Sequence, residues 1–140
     1  MTVDSVRTYP AQHRLGTRDI SLRLMTSGDK QAVLTFARKL PEHDLLFLRR
    51  DITQDAALDD WLGEIATGEI TTVLAFEGSD VVGYATIQRS QLRWTEHVAE
   101  LRVLVAESMR GHGLGRLLTQ EAFANALGLG IEKMVAQMTL

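Results

Sequence analysis

The chain has no cysteine. That absence removes a disulfide framework, a thiolate metal site and a nucleophilic or relay cysteine together. Basic residues are not in excess either: 18 acidic residues outnumber 15 lysines and arginines for a formal charge of −3, so no cationic surface is left to neutralise a phosphate backbone. Nucleic acid is not an expected partner, and no metal is expected. No apolar run approaches the ~20 residues of a membrane span, and residues 1–19 carry no apolar segment of a secretory signal. The expectation is a soluble, cytoplasmic protein. No repeat, linker or low-complexity segment interrupts the 140 residues, a length that fits one compact domain.

Against these absences stands a regular pattern of apolar residues. Residues 1–19, with Asp4, Arg7, Pro10, His13, Arg14, Gly16 and Arg18, have no apolar period and read as a loosely held arm, leaving 20–140 as the domain. Ile20, Leu22 and Leu24 alternate with polar neighbours as in a half-buried strand. Thr26 and Asp29 have capping-box spacing. Val33, Phe36, Ala37 and Leu40 then fall at i, i+3, i+4 and i+7, a helical stripe that Pro41 ends.

Leu58, Trp61, Leu62 and Ile65 repeat that spacing, with Thr53 as a candidate cap and Gly68 suited to the left-handed position past the end. Thr72–Phe76 and Val81–Gln88 are strand-like runs around Glu77-Gly78-Ser79-Asp80, which is hairpin turn chemistry. Val98–Val105 follows the polar link 90–97. A glycine-rich stretch comes next, then a helix with Leu114, Leu117, Leu118, Ala122 and Leu127 as its buried stripe, and finally an apolar run from Lys133 to Leu140. The predicted order is β-α-α-β-β-β-α-β, an α/β fold with a mixed sheet.

The chemistry concentrates where the third of the later strands runs into the last helix. Gly111, Gly113 and Gly115 let the backbone turn sharply and bring N–H groups close to a bulky anion, at the spot where the helix presents its positive dipole end. A diphosphate fits there, and Arg110 and Arg116 flank the loop as candidate phosphate partners. A dinucleotide fingerprint is excluded, because its last glycine position holds Arg116 or Leu118 depending on the start. A nucleotide-hydrolysing P-loop is excluded as well, since no Gly-Lys pair occurs.

What remains is R-x-x-G-x-G after a strand, carried by Arg110, Gly113 and Gly115. This resembles the coenzyme A motif of the GNAT superfamily of N-acetyltransferases, and the order of elements over residues 19–140 is similar to that superfamily's too. Glu100-Leu-Arg-Val-Leu-Val-Ala106, leading into the loop, looks more narrowly like the acetyltransferase domain of bacterial protein-lysine acetyltransferases. The resemblance implies acetyl-CoA as co-substrate. It places the pantetheine arm on a strand edge freed where two strands splay apart, here Val103, Leu104 and Val105, and the pyrophosphate on Arg110, Gly111, His112, Gly113, Leu114, Gly115 and Arg116. It also implies one further helix and two strands after Leu140, which supply a tyrosine acid in the superfamily. Tyr9 and Tyr84 are not placed to act as one. Without that helix, Met134, Ala136, Met138 and Leu140 would lie partly uncovered, which makes a homodimer an expectation.

The implied acceptor is an amine, of a protein lysine or a small molecule. Such an amine is almost wholly protonated at neutral pH, with a reference pKa of ~10.4 for lysine, so a base must take its proton. Glu100 is the candidate general base. Arg102 sits two residues on and on the same strand face, so a plain ion pair is the alternative. His97, and the side chain of His112, read as solvated surface. Trp61 reads as packing, although Trp61 and Trp94 could both shape an acceptor pocket. Glu42-His43-Asp44 would either line the acceptor channel, where acidity suits a cation, or form a solvated loop. The rival to catalysis is a non-catalytic acyl-CoA-binding regulatory module.

Overall fold

The computed structural model of the chain describes residues 8–46, 48, 50–89 and 98–138. Six strands form one mixed sheet in sequential order: β1 (Ala11–Leu15), β2 (Arg18–Leu24), β3 (Ile70–Glu77), β4 (Asp80–Arg89), β5 (Val98–Val105) and β6 (Lys133–Met138). β1 to β5 run antiparallel to their neighbours, and β6 lies parallel to β5. A parallel neighbour requires a crossover of a dozen residues or more, which α4 (Leu114–Gly128) supplies. The other helices, α1 (Lys30–Arg38), α2 (Glu42–Leu45) and α3 (Asp55–Ala66), follow β2. Four helices on a mixed sheet realise the expected α/β class.

Strand alternation divides the core in two. Ile20, Leu22, Val73, Ala85, Ile87, Leu101 and Val103 face one side, where Leu114, Leu118, Ala122 and Ala126 of α4 cover them. Leu74, Phe76, Tyr84 and Leu104 face the other, beneath Val33, Phe36 and Ala37 of α1 and Leu58 and Trp61 of α3. The Trp61 indole donates to the Thr72 hydroxyl at 2.9 Å, which satisfies both buried groups and pins α3 to β3. Tyr84 packs edge-on against Phe36 and Trp61, with ring centroids 6.0 and 5.1 Å apart. Because β5 alternates too, Glu100 and Arg102 share the face of Leu104, on the α1–α3 side.

Several expectations are corrected. Part of the segment read as a loose arm is strand: β1 pairs with β2 from Ala11↔Leu22 to Leu15↔Arg18, and the Tyr9 hydroxyl donates to Glu121 on α4 at 3.2 Å. β1 is an edge strand whose inward residues Ala11, His13 and Leu15 are only half-buried, so its apolar period is faint. Leu127 is 70% exposed and Ala126 fills the stripe instead, because 114, 118, 122 and 126 form one straight row along the helix. Thr53 does not cap α3; it bonds Asp51, and Gln54 stands at the cap position. The residues after Pro41, read as loop, make the single turn of α2.

Candidate functional site

β5 leaves the sheet at Val105, and the Ala106 N–H donates to the Val82 carbonyl at 2.8 Å. A single 3-10 turn, Glu107–Met109, then buries the Met109 side chain completely. Gly111 and Gly113 follow with φ of +82° and +86°, a backbone region closed to most side-chain-bearing residues. A Cβ at either position would meet no heavy atom within 4 Å, and one at Gly115 would meet only Val105 Cγ2, at 3.9 Å. The loop therefore borders open space. The first N–H groups of any helix lack intrahelical acceptors, and those of the fifteen-residue α4 begin here, anchored by the buried Leu114. Such a cradle suits a diphosphate. Arg116 stands exposed beside it and forms no ion pair among the described residues. His112 is exposed.

The two shoulders of the loop are fastened by arginines. Arg18 grips Glu77 with two nitrogens at 2.8 and 2.6 Å and donates with the third to the Ser108 carbonyl at 3.1 Å. The Arg18 guanidinium holds the Glu77 carboxyl below its usual range against the opposing effect of burial, and the charge of His112 adds to this. Arg110 donates to the carboxylate of Asp44 on α2 and to the Val105 carbonyl at 3.3 Å. Asp44 is only 1% exposed. The acidic residue read as part of an acceptor channel or a solvated loop is thus buried under the arginine that opens the glycine loop.

Along β5 the register with β6 runs from Val98↔Lys133 to Val103↔Met138. Val103 is therefore paired with Met138 and is not part of the free edge expected; the residues that would stand opposite Leu104 and Val105 lie outside the described residues. Glu100 sits between Gln88 of β4 and Val135 of β6. It lines an open cleft of about 1310 Å³ between α3 and the sheet. Asp51, Asp59, Asp60, Glu64 and Glu69 add carboxylates to that cleft, against Arg50 and Arg89. Arg50 is itself bound to Glu64 at 2.5 Å. Arg102 donates to Glu100 at 2.9 Å, so the ion pair foreseen as the alternative is formed, with 32% of the Glu100 side chain left exposed.

The remaining candidates lie elsewhere. Tyr84 is buried, and burial pushes its hydroxyl above the ordinary value. Tyr9 is held against α4 by Glu121 and Asn125. Trp61 is core. Trp94, His97 and Leu140 fall outside the described residues, as do the side chains of Ala136 and Met138. Among the described residues no group of three or more His, Asp or Glu is placed to hold a metal ion.

The model of the Acetyltransferase (GNAT) family matches residues 34–139. The chain belongs to this family. The GNAT likeness extends to solved structures. The GNAT domain of S. lividans PAT superposes with a TM-score of 0.78 at 15% identity, over 90% of this chain and 76% of that one. A ribosomal-protein-alanine N-acetyltransferase from Brucella melitensis gives 0.69 at 25% identity, over 82% and 72%. An aminoglycoside acetyltransferase from an uncultured soil metagenomic sample, in complex with sisomicin, gives 0.66 at 17% identity, over 84% and 76%. No curated protein matches. Among the described residues of this GNAT chain, no helix is long and apolar enough to cross a membrane.

Proposed function

We propose that this GNAT chain transfers an acetyl group from acetyl-CoA to an amine, with Glu100 accepting the proton the ammonium must lose. The observation that carries the reading is one strand with two chemistries. β5 ends in an open glycine cradle at the start of α4, and five residues before its end it presents a carboxylate in an acidic cleft. Acetyl-CoA supplies an activated acyl thioester. The backbone of residues 111–116 and the Arg116 side chain would hold its pyrophosphate, and the Leu104–Val105 edge its pantetheine arm. A cleft rich in carboxylates raises the local concentration of a cationic acceptor and leaves Glu100 within its wall to act directly or through water. The similar proteins named above include acetyltransferases acting on a protein and on aminoglycosides. Both a protein amine and a small-molecule amine therefore stay within the reading.

Calorimetric titration with acetyl-CoA, with NADH and ATP as controls, tests the cradle. Glu100→Gln tests the base: turnover should fall by roughly 10²-fold or more while acetyl-CoA affinity changes less than about twofold. Wild-type turnover in that variant would remove Glu100 from the mechanism. The 2.9 Å bond from Arg102 favours a second reading, a non-catalytic acyl-CoA-binding module in which Glu100 only pairs. That reading requires acetyl-CoA binding without acetylation of any amine in a panel spanning peptides, polyamines and aminoglycosides.

A further inference from the structure

We infer that Asp44 is a positioning residue for the cofactor loop, acting through Arg110, and that Arg110 is held as a structural tie rather than as a phosphate ligand. The inference rests on the acetyl-CoA reading of the 110–116 loop and names two of its supports.

Arg110 opens the glycine loop, where an arginine would be expected to turn toward an anion. Its guanidinium instead donates to Asp44 and to the Val105 carbonyl. The Asp44 side chain is 2% exposed, and that of Arg110 is 36% exposed. A carboxylate so deeply buried needs a paired cation, because water cannot reach it. Swinging Arg110 out to a phosphate would strand Asp44, so the pair stays closed when the loop takes its ligand. The guanidinium also bridges from the first residue of the loop to the last residue of β5, which fixes where the chain leaves the sheet. At the other shoulder Arg18 holds the Ser108 carbonyl while tied to Glu77. The glycines between Ser108 and α4 thus hang between two anchored points, and the pyrophosphate charge falls to backbone N–H groups and Arg116.

The tie also joins the two halves of the site. Asp44 belongs to α2, in the segment between α1 and α3 that continues to Arg50 and Asp51 in the wall of the acidic cleft. The cofactor loop and the acceptor-side segment are therefore linked by one buried ion pair between residues 66 apart in sequence.

Three variants decide the matter: Asp44→Asn, Arg110→Gln and the double substitution. Each is titrated with acetyl-CoA at low and high salt, and each is followed by hydrogen exchange without ligand. Both single variants should weaken acetyl-CoA binding by about tenfold, and the double variant should be no weaker than the worse single, because all three break the same tie. The salt dependence of binding should match wild type in Arg110→Gln, since the lost charge did not face the phosphates. Exchange across residues 107–116 should speed up in Asp44→Asn while β2 to β4 keep their protection. If Asp44→Asn binds acetyl-CoA as well as or better than wild type while Arg110→Gln binds worse, Arg110 is a phosphate ligand and the inference is overturned. Unchanged exchange in the loop overturns it equally. The double variant leaves no stranded charge and carries the exchange measurement should a single variant fail to fold. Should wild type itself not take up acetyl-CoA, the functional reading falls, and loop exchange alone decides whether the tie exists.

Discussion

At the scale of single residues, burial turns ordinary charges into structural commitments. Asp29 is 5% exposed and takes two bonds from Arg23, at 2.8 and 2.6 Å, and one from the Thr26 N–H at 2.8 Å. Bonding to Arg23 holds its carboxyl below the ordinary value of 3.8, outweighing the opposing effect of burial, with Thr26 contributing less. A depressed folded-state value means that the stabilisation is complete above the ordinary value and is lost as pH falls through the lower folded one. Asp29→Asn should therefore cost roughly 2–3 kcal/mol near neutral pH, and the gap to wild type should narrow by about pH 3. Urea unfolding at both pH values reads this; a gap that stayed constant would mean the ionised carboxylate is not what stabilises the turn. The Thr26–Asp29 pair was legible because a cap and its partner lie three residues apart. Asp44 and Arg110 were both visible as charges, yet their pairing was not, because no local spacing relates α2 to a loop that follows β5.

At the scale of elements, legibility followed apolar contrast. The stripes of α1, α3 and α4 set buried residues against exposed ones, β5 alternates buried with half-buried residues, and β3 and β4 are nearly continuous buried runs around a polar turn, so each is marked in the sequence. β1 alternates half-buried with exposed residues and buries none fully, and α2 is a single turn, too short to have a period. Gly83 of β4 escaped notice for another reason: it sits in a strand where a glycine weakens the local pattern, and only the packing explains it. A Cβ there would lie 3.0 Å from the Leu104 carbonyl oxygen and 3.2 Å from both Leu114 Cδ2 and Leu118 Cδ1. The first turn of α4 thus reaches the sheet through a gap in the β4 surface, and that approach sets the height of the glycine loop above β5. Gly83→Ala should destabilise the fold by about 1–3 kcal/mol, since overpacking here meets backbone as well as leucine tips. It should also weaken acetyl-CoA binding, because lifting Leu114 tilts the cradle. Binding at wild-type strength in a variant with a lowered unfolding midpoint would show that loop and packing are independent.

At the scale of the whole molecule, the sheet grows in chain order from β1 to β6, and among the described residues α4 is the one long helix on its side. Its first turn carries the end of the glycine loop and its middle packs on the core, so whatever holds its middle also steadies the loop. Tyr9 does this from the far end of the chain. Its hydroxyl accepts from Asn125 Nδ2 at 2.7 Å and donates to Glu121 at 3.2 Å, and Asn125 also donates to the Glu121 carbonyl at 2.8 Å. Glu121 is 3% exposed, so this polar patch lies under the N-terminal segment rather than in solvent. Tyr9→Phe keeps the ring on the core and removes only the hydroxyl. It should cost about 1–2 kcal/mol, or roughly 3–6 °C in Tm. An arm only loosely held would give no shift at all, and a thermal melt of this one variant separates the two. A measurable loss would make residues 9–15 part of the acetyltransferase fold: β1 extends the sheet edge, and Tyr9 closes the layer over α4 from a position 112 residues earlier in the chain than its partner Glu121.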